Sequence, residues 1–140
     1  MTFFFDNQMS LHLARAVAEL ERGSNRQQVT HLRDKFPADI IDPAWIRTLG
    51  EDKDWVIVSA DLGITKNPAN RAAWRESGLT AFFLKGGWQN QEIWIYASRF
   101  FWWWPKIVTQ AELAQRKGLP DTVQEHAIRG RSAPLTHGDL

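Results

Sequence analysis

Two apolar runs in the chain each end on an aspartate. Phe3-Phe4-Phe5 is closed by Asp6, and Trp55-Val56-Ile57-Val58 runs through Ser59 and Ala60 to Asp61. A short continuous apolar run is the pattern of a strand covered on both faces, the usual state in a parallel sheet. Two such strands pointing the same way put both aspartates at the carboxyl edge of one sheet, where open α/β sheets bind ligands. A third acid, Asp42, precedes Pro43. Asp-Pro reads as a helix start, with Asp as N-cap and Pro at the first helical position. That helix feeds the strand ending at Asp61, so it runs antiparallel to the sheet and begins at the same edge. Carboxylates gathered there would make an oxygen-donor site for a hard divalent cation, the kind of site that serves phosphate chemistry.

Each acid also has a plain structural reading. Asp6 would cap the first helix, Asp42 the second, and Asp61 would close an Asx-turn after its strand. For Asp6 the two readings are compatible. A carboxylate directly after three phenylalanines loses solvation on burial, and either backbone donors or a cation would offset that loss.

Basic residues follow Asp61. Lys66 and Arg71 lie on the next loop and helix and are assigned here to holding a phosphate backbone. Arg75 reads as an ordinary solvated face, as does Asp34 within Arg33-Asp34-Lys35. His12, His31, His126 and His137 show no metal-ligand spacing. Ser10, Ser59 and Thr65 have no adjacent base and no nucleophile elbow. Neither G-x-G-x-x-G after a strand nor G-x-x-x-x-G-K-[ST] occurs, which argues against dinucleotide and P-loop nucleotide binding.

The elements needed to position these groups are short and regular. Strands are expected at 3–5, 28–32, 55–60 and 79–84. Helices are expected at 7–22 with Gly23 as a left-handed stop, at 43–49 ending at Gly50, at 67–77 ending at Gly78, and from about residue 90 onward. Met9, Leu13, Ala16, Val17 and Leu20 give the first helix its apolar stripe. In the last helix the stripe is Ile93, Ala97, Phe100, Phe101, Trp104, Ile107 and Val108, with Pro105 expected to kink it. The β-α-β alternation implies an α/β fold, an α/β/α sandwich around a parallel sheet of four or more strands with right-handed crossovers. Residues 1–117 form the expected domain, and 118–140 read as a polar tail or a docking arm.

The chain has 140 residues, 17 basic and 16 acidic side chains and a formal net charge of +1. That balance excludes a histone-like polycation but not a local nucleic-acid-binding patch. There is no cysteine, which removes thiolate catalysis and cysteine metal sites. No apolar stretch reaches a membrane span, and the amino terminus lacks the basic-then-apolar pattern of a secretory signal. A cytoplasmic protein without membrane contact is expected. Five of the eight tryptophans fall between Trp88 and Trp104. Trp102, Trp103 and Trp104 cannot all face inward from one helix, so the first two are expected to be exposed in a protein contact: a homodimer, an antitoxin-like partner, or the chain's own tail folding back.

Taken together, Phe3-Phe4-Phe5-Asp6-Asn7, His31-Leu32-Arg33-Asp34-Lys35-Phe36-Pro37, Asp42-Pro43-Ala44-Trp45-Ile46, Trp55 through Asp61, Lys66-Asn67 and Asn70-Arg71 carry a resemblance. The chain resembles PIN-like (PilT N-terminus) domain proteins, in particular the compact VapC-type toxin branch, over residues 3–104. The resemblance implies an α/β/α sandwich and Mg²⁺- or Mn²⁺-dependent cleavage of RNA. It implies that Asp6, Asp42 and Asp61 are the catalytic, metal-holding acids. A fourth acid that such nucleases often carry has no counterpart, since the next acid after Asp61 is Glu76, late on its helix.

Two other readings fit parts of the pattern. A receiver-like, phospho-accepting signalling module would use Asp6, Asp61 and Lys85, though it would leave Asp42 idle. A labile phosphate adduct from acetyl phosphate would mark that class. A nuclease-like fold that binds RNA or protein without cutting would show metal binding without turnover.

Overall fold

The computed structural model describes residues 1–24, 26–52, 54–60, 66–85, 91–116 and 124–129. Its elements are β1 (Thr2–Phe5), α1 (Leu11–Ser24), β2 (Gln28–His31), α2 (Leu32–Lys35), α3 (Asp42–Asp52), β3 (Trp55–Ser59), α4 (Pro68–Ser77), β4 (Thr80–Lys85), α5 (Ile93–Arg116) and β5 (Gln124–Arg129). The strands form one sheet in the order β2-β1-β3-β4-β5, and every neighbouring pair is parallel. The expected α/β class and parallel sheet are therefore present.

Strand alternation divides the core. Phe3, Phe5, Val56, Val58, Phe82 and Leu84 face α1 and α5, against Leu13, Val17, Tyr96, Phe100 and Trp104. Phe4, Ile57, Ala81 and Phe83 face α3 and α4, against Trp45, Leu49, Ala73 and Trp74. Aromatic rings bridge both layers. Trp104 meets Phe3 edge-on with centroids 4.7 Å apart, and Trp45 lies 5.1 Å from Phe4 and 5.7 Å from Trp74. Phe3, Phe4 and Phe5 are fully buried, and each such burial contributes about 2 kcal/mol. β1 is thus anchored firmly enough to carry a carboxylate at its end into the interior.

The helix boundaries differ from expectation at three places, each for a local reason. α1 starts at Leu11 rather than near Asn7, because the Ser10 hydroxyl accepts from the Leu13 amide (3.2 Å) as its cap. Gly23 does not stop it; the helix continues to Ser24, whose hydroxyl donates back to the Glu21 carbonyl (3.0 Å). α3 runs through Gly50 to Asp52. Gly50 serves packing instead: a Cβ there would lie 2.8 Å from the Cβ of Ser77 on α4. By contrast, Asn67-Pro68 does open α4, and Gly78 ends it at φ 64°, a conformation that favours glycine.

Residues 124–129, expected within a polar tail, form strand β5 beside β4. Its crossover also departs from expectation. α5 packs on the same sheet face as α1, yet the chain moves from β4 away from β2. This connection therefore has the opposite hand to the other three, a rare arrangement. The aromatic stripe of α5 accounts for its face, since α1 alone would leave Phe82 and Leu84 uncovered. Pro105, expected to kink that helix, lies within it, and α5 continues to Arg116.

Trp102 and Trp103 are half-buried rather than exposed. Their rings meet edge-to-face at 5.0 Å, and the Lys106 ammonium sits 3.5 Å from the Trp102 centroid. Among the described residues the exposed aromatic is Trp94, 78% accessible between the exposed Ile93 and Ile95. Ile93 therefore leaves the apolar face assigned to it. Among the described residues, no helix is long and apolar enough to cross a membrane.

Candidate functional site

In the observed strand order the chain reverses direction between β1 and β3. That is the topological switch point, where doubly wound sheets leave a crevice at the carboxyl ends. Asp6 follows the last residue of β1, and Ser59 is the last residue of β3. The sequence thus places its first candidate acid at the crevice.

Asp6 is 3% exposed. Its Oδ2 accepts from the Ser59 hydroxyl, and its Oδ1 accepts from the Gln8 amide at 3.2 Å. The Met9 amide donates to the Asp6 carbonyl (3.1 Å), closing a tight loop over residues 6–9. Tyr96 of α5 faces this carboxylate. Burial, and then the negative charge of Asp6, push the Tyr96 hydroxyl well above its ordinary range. The hydroxyl stays protonated and donates to Met9 Sδ at 3.4 Å.

Asp42 is the first residue of α3 and stands half-buried at the same edge. It was expected as an N-cap, but the carbonyl of Ile41 instead accepts the first helical amides, from Ala44 and Trp45. The Asp42 carboxylate turns to side chains: the Trp45 indole donates to Oδ1 (3.0 Å) and the Asn70 amide to Oδ2 (3.3 Å). Asn70 is buried in the first turn of α4, where Asn67 caps the helix through bonds to the amides of Ala69 and Asn70. Asp42 is thereby held toward the helix that follows β3.

Asp61 lies outside the described residues, two positions after Ser59. Lys66 and Arg71 are exposed at the start of α4, on the same edge. Lys85 ends β4 there, and Asp34, expected to be solvated, forms an exposed pair with Arg15 at 3.0 Å. Among the described residues, no three acidic or histidine side chains form a metal-holding group. What the edge does offer is oxygen: carboxylates and a hydroxyl, with carboxamides behind them, a donor chemistry that suits a hard divalent cation rather than a softer ion. His31, the nearest imidazole in this loop network, has both nitrogens engaged. Nε2 contacts the Met9 carbonyl at 2.9 Å, and Nδ1 accepts from the Arg33 amide at 3.1 Å.

Ser59, Tyr96, Asn70, Asn7 and Arg33 were not singled out as site residues from sequence. Ser59 carried the one local signal, a hydroxyl at the end of a buried strand two residues before an acid. The others meet the site only through the fold.

A doubly wound parallel α/β domain with a buried acid at its switch point is thus defined. A family model described as PIN like domain matches residues 1–86, and the chain belongs to that family. No curated protein and no solved structure matches it. PIN-like domains are in general nuclease folds that use divalent metals, and the fold here is of that type.

Proposed function

We propose that the protein is a metal-dependent endoribonuclease whose catalytic acids Asp6, Asp42 and Asp61 hold one or two Mg²⁺ or Mn²⁺ ions. We further propose that it is the cytoplasmic toxin of a toxin–antitoxin pair. The observation that carries the reading is Asp6, a buried carboxylate at the switch point of a PIN-like sheet. Asp42 stands at the same edge. Asp61 is tethered by two residues to Ser59, whose hydroxyl meets Asp6, and chain connectivity keeps the Cα atoms of 59 and 61 within about 7 Å.

In this reading a bound cation would activate water and neutralise charge on the leaving oxygen. The chain's own residues do the rest. Ser59 and the Gln8 amide hold the Asp6 carboxylate in one orientation. Trp45 and Asn70 do the same for Asp42 while leaving lone pairs free for water or metal. Lys66 and Arg71 attract the RNA backbone. The apolar turn Ile93-Trp94-Ile95 supports a protein partner, an antitoxin or a second copy of the chain.

A 2-1-3-4-5 strand order is shared by other doubly wound folds, the receiver-like one included. The order does not choose between them; the family match does. The test is cleavage of RNA in Mg²⁺ by purified wild type and Asp61→Asn. Loss of cleavage in the variant supports the reading. Equal cleavage overturns the proposed centre, and metal binding without turnover in wild type leaves only a binding module.

A further inference from the structure

We propose that Arg33, tethered to Asn7, the residue that follows Asp6, is a phosphate-binding residue that holds a single-stranded polynucleotide on the β2 side of the candidate site. The proposal rests on the nuclease reading and extends it to a residue that reading does not use.

Arg33 lies in α2, which leaves the carboxyl edge just after β2. Its side chain is exposed but fixed. Nε donates to Asn7 Oδ1 at 2.8 Å, and Asn7 Nδ2 donates to the Ala38 carbonyl at 3.3 Å. Asn7 is the residue next to Asp6, so a short relay joins the acid loop, the arginine and the connector that leads to Asp42. The Arg33 backbone is fixed as well. Its amide donates to His31 Nδ1, and the buried His31 ring reaches Met9 in the acid loop through Nε2. This pairing requires a neutral ring, and burial of the imidazole lowers its pKa accordingly.

The neighbouring charges are already engaged. Asp34 pairs with Arg15 at 3.0 Å, and the Lys35 ammonium sits over the rings of Trp55 and Phe36. Arg33 forms no ion pair among the described residues, where the pairs are Arg15–Asp34, Arg22–Glu19 and Arg47–Glu76. Its Nε is spent on Asn7, which leaves the two terminal nitrogens as a pre-oriented fork. A planar fork of this kind matches two phosphate oxygens, and fixing it beforehand reduces the ordering lost on binding. A guanidinium that served only to tie α2 down would more simply have reached a carboxylate. Here it is held by a neutral amide, that of the residue following the acid that would act on a phosphodiester, and it has no ion-pair partner among the described residues.

The experiment measures binding of a short fluorescein-labelled single-stranded RNA across a salt series, with Ca²⁺ in place of Mg²⁺, alongside cleavage kinetics in Mg²⁺. The proteins are wild type, Arg33→Ala, Arg33→Lys and Asn7→Ala, each checked for native circular dichroism. Arg33→Ala is expected to weaken binding roughly tenfold. It should lower the slope of log Kd against log salt by about 0.7, one phosphate contact on a single strand. KM should rise while kcat holds. Arg33→Lys should restore the slope but not the full affinity, since lysine lacks the fork. Asn7→Ala should fall between wild type and Arg33→Ala. An Arg33→Ala protein with wild-type affinity, slope and KM overturns the proposal while leaving RNA cleavage, and hence the nuclease reading, intact. A variant that changes self-association but not RNA binding also overturns it, and points to a protein contact. A wild type that neither binds nor cuts RNA overturns both readings together.

Discussion

At the scale of single residues, the Ser59–Asp6 bond decides how Asp6 is presented. The serine is fully buried and its hydroxyl donates to a buried carboxylate. Hydrogen bonds to charged groups contribute about 1.5–3 kcal/mol, so Ser59→Ala is expected to lower unfolding stability by about that amount in urea titrations. A variant as stable as wild type would mean the bond contributes nothing. His31 gives a second residue-scale prediction. Burial of the ring is the largest cause of its lowered pKa, with Arg33 and Arg15 adding to it and the Met9 carbonyl and Asp34 opposing. The unfolded ring binds its proton near pH 6.5 and the folded ring only at lower pH. The stability from neutral His31 is therefore complete above about pH 6.5 and declines as pH falls below it. In His31→Gln, the loss of stability between neutrality and the range where carboxylates titrate should be shallower than in wild type. Asp6 was legible because an apolar run stops on it. Its partners were not, since Ser59 and Tyr96 lie far along the chain and only the β1–β3 pairing and the face of α5 bring them in.

At the scale of elements, the α3–α4 contact supports the second candidate acid. Gly50 lets the helices approach, and Asn70 on α4 then reaches Asp42 on α3. In Gly50→Ala the new Cβ would press on the Ser77 Cβ at 2.8 Å and its Cα at 3.0 Å. Overpacking of this kind costs about 1–3 kcal/mol, against a helix-propensity gain of at most about 1 kcal/mol. A net loss of stability is expected by thermal or urea unfolding, together with reduced RNA cleavage as Asp42 shifts. The same glycine shows where sequence reading failed. Glycine after an apolar periodic stretch signals a helix stop, and Gly78 obeys that rule with φ 64°. Gly50 and Gly23 do not, because the first meets another helix and the second precedes a serine that closes its own turn. Strand β5 was missed because residues 124–129 lack the apolar run that marked the inner strands, and an edge strand needs none. The Asn67-Pro68 start was legible because cap and proline are local chemistry.

At the scale of the whole molecule, two aromatic layers fix a parallel sheet whose carboxyl edge carries Asp6 and Asp42 among the described residues. If those acids hold a cation, metal should bind the folded chain and not the unfolded one, and so raise its melting temperature. Wild type should gain stability with increasing Mg²⁺ or Mn²⁺, and Asp6→Asn should gain little. The most direct check that these acids cut RNA with a metal is the rate at which single-stranded RNA is cleaved by wild type and by the single asparagine variants of Asp6, Asp42 and Asp61, in Mg²⁺ and in EDTA. The expected result is cleavage by wild type in Mg²⁺ alone, with each variant slowed at least a hundredfold, on the order of 3 kcal/mol in the barrier. Cleavage that persists in EDTA, or in any of the three variants at the wild-type rate, would contradict it.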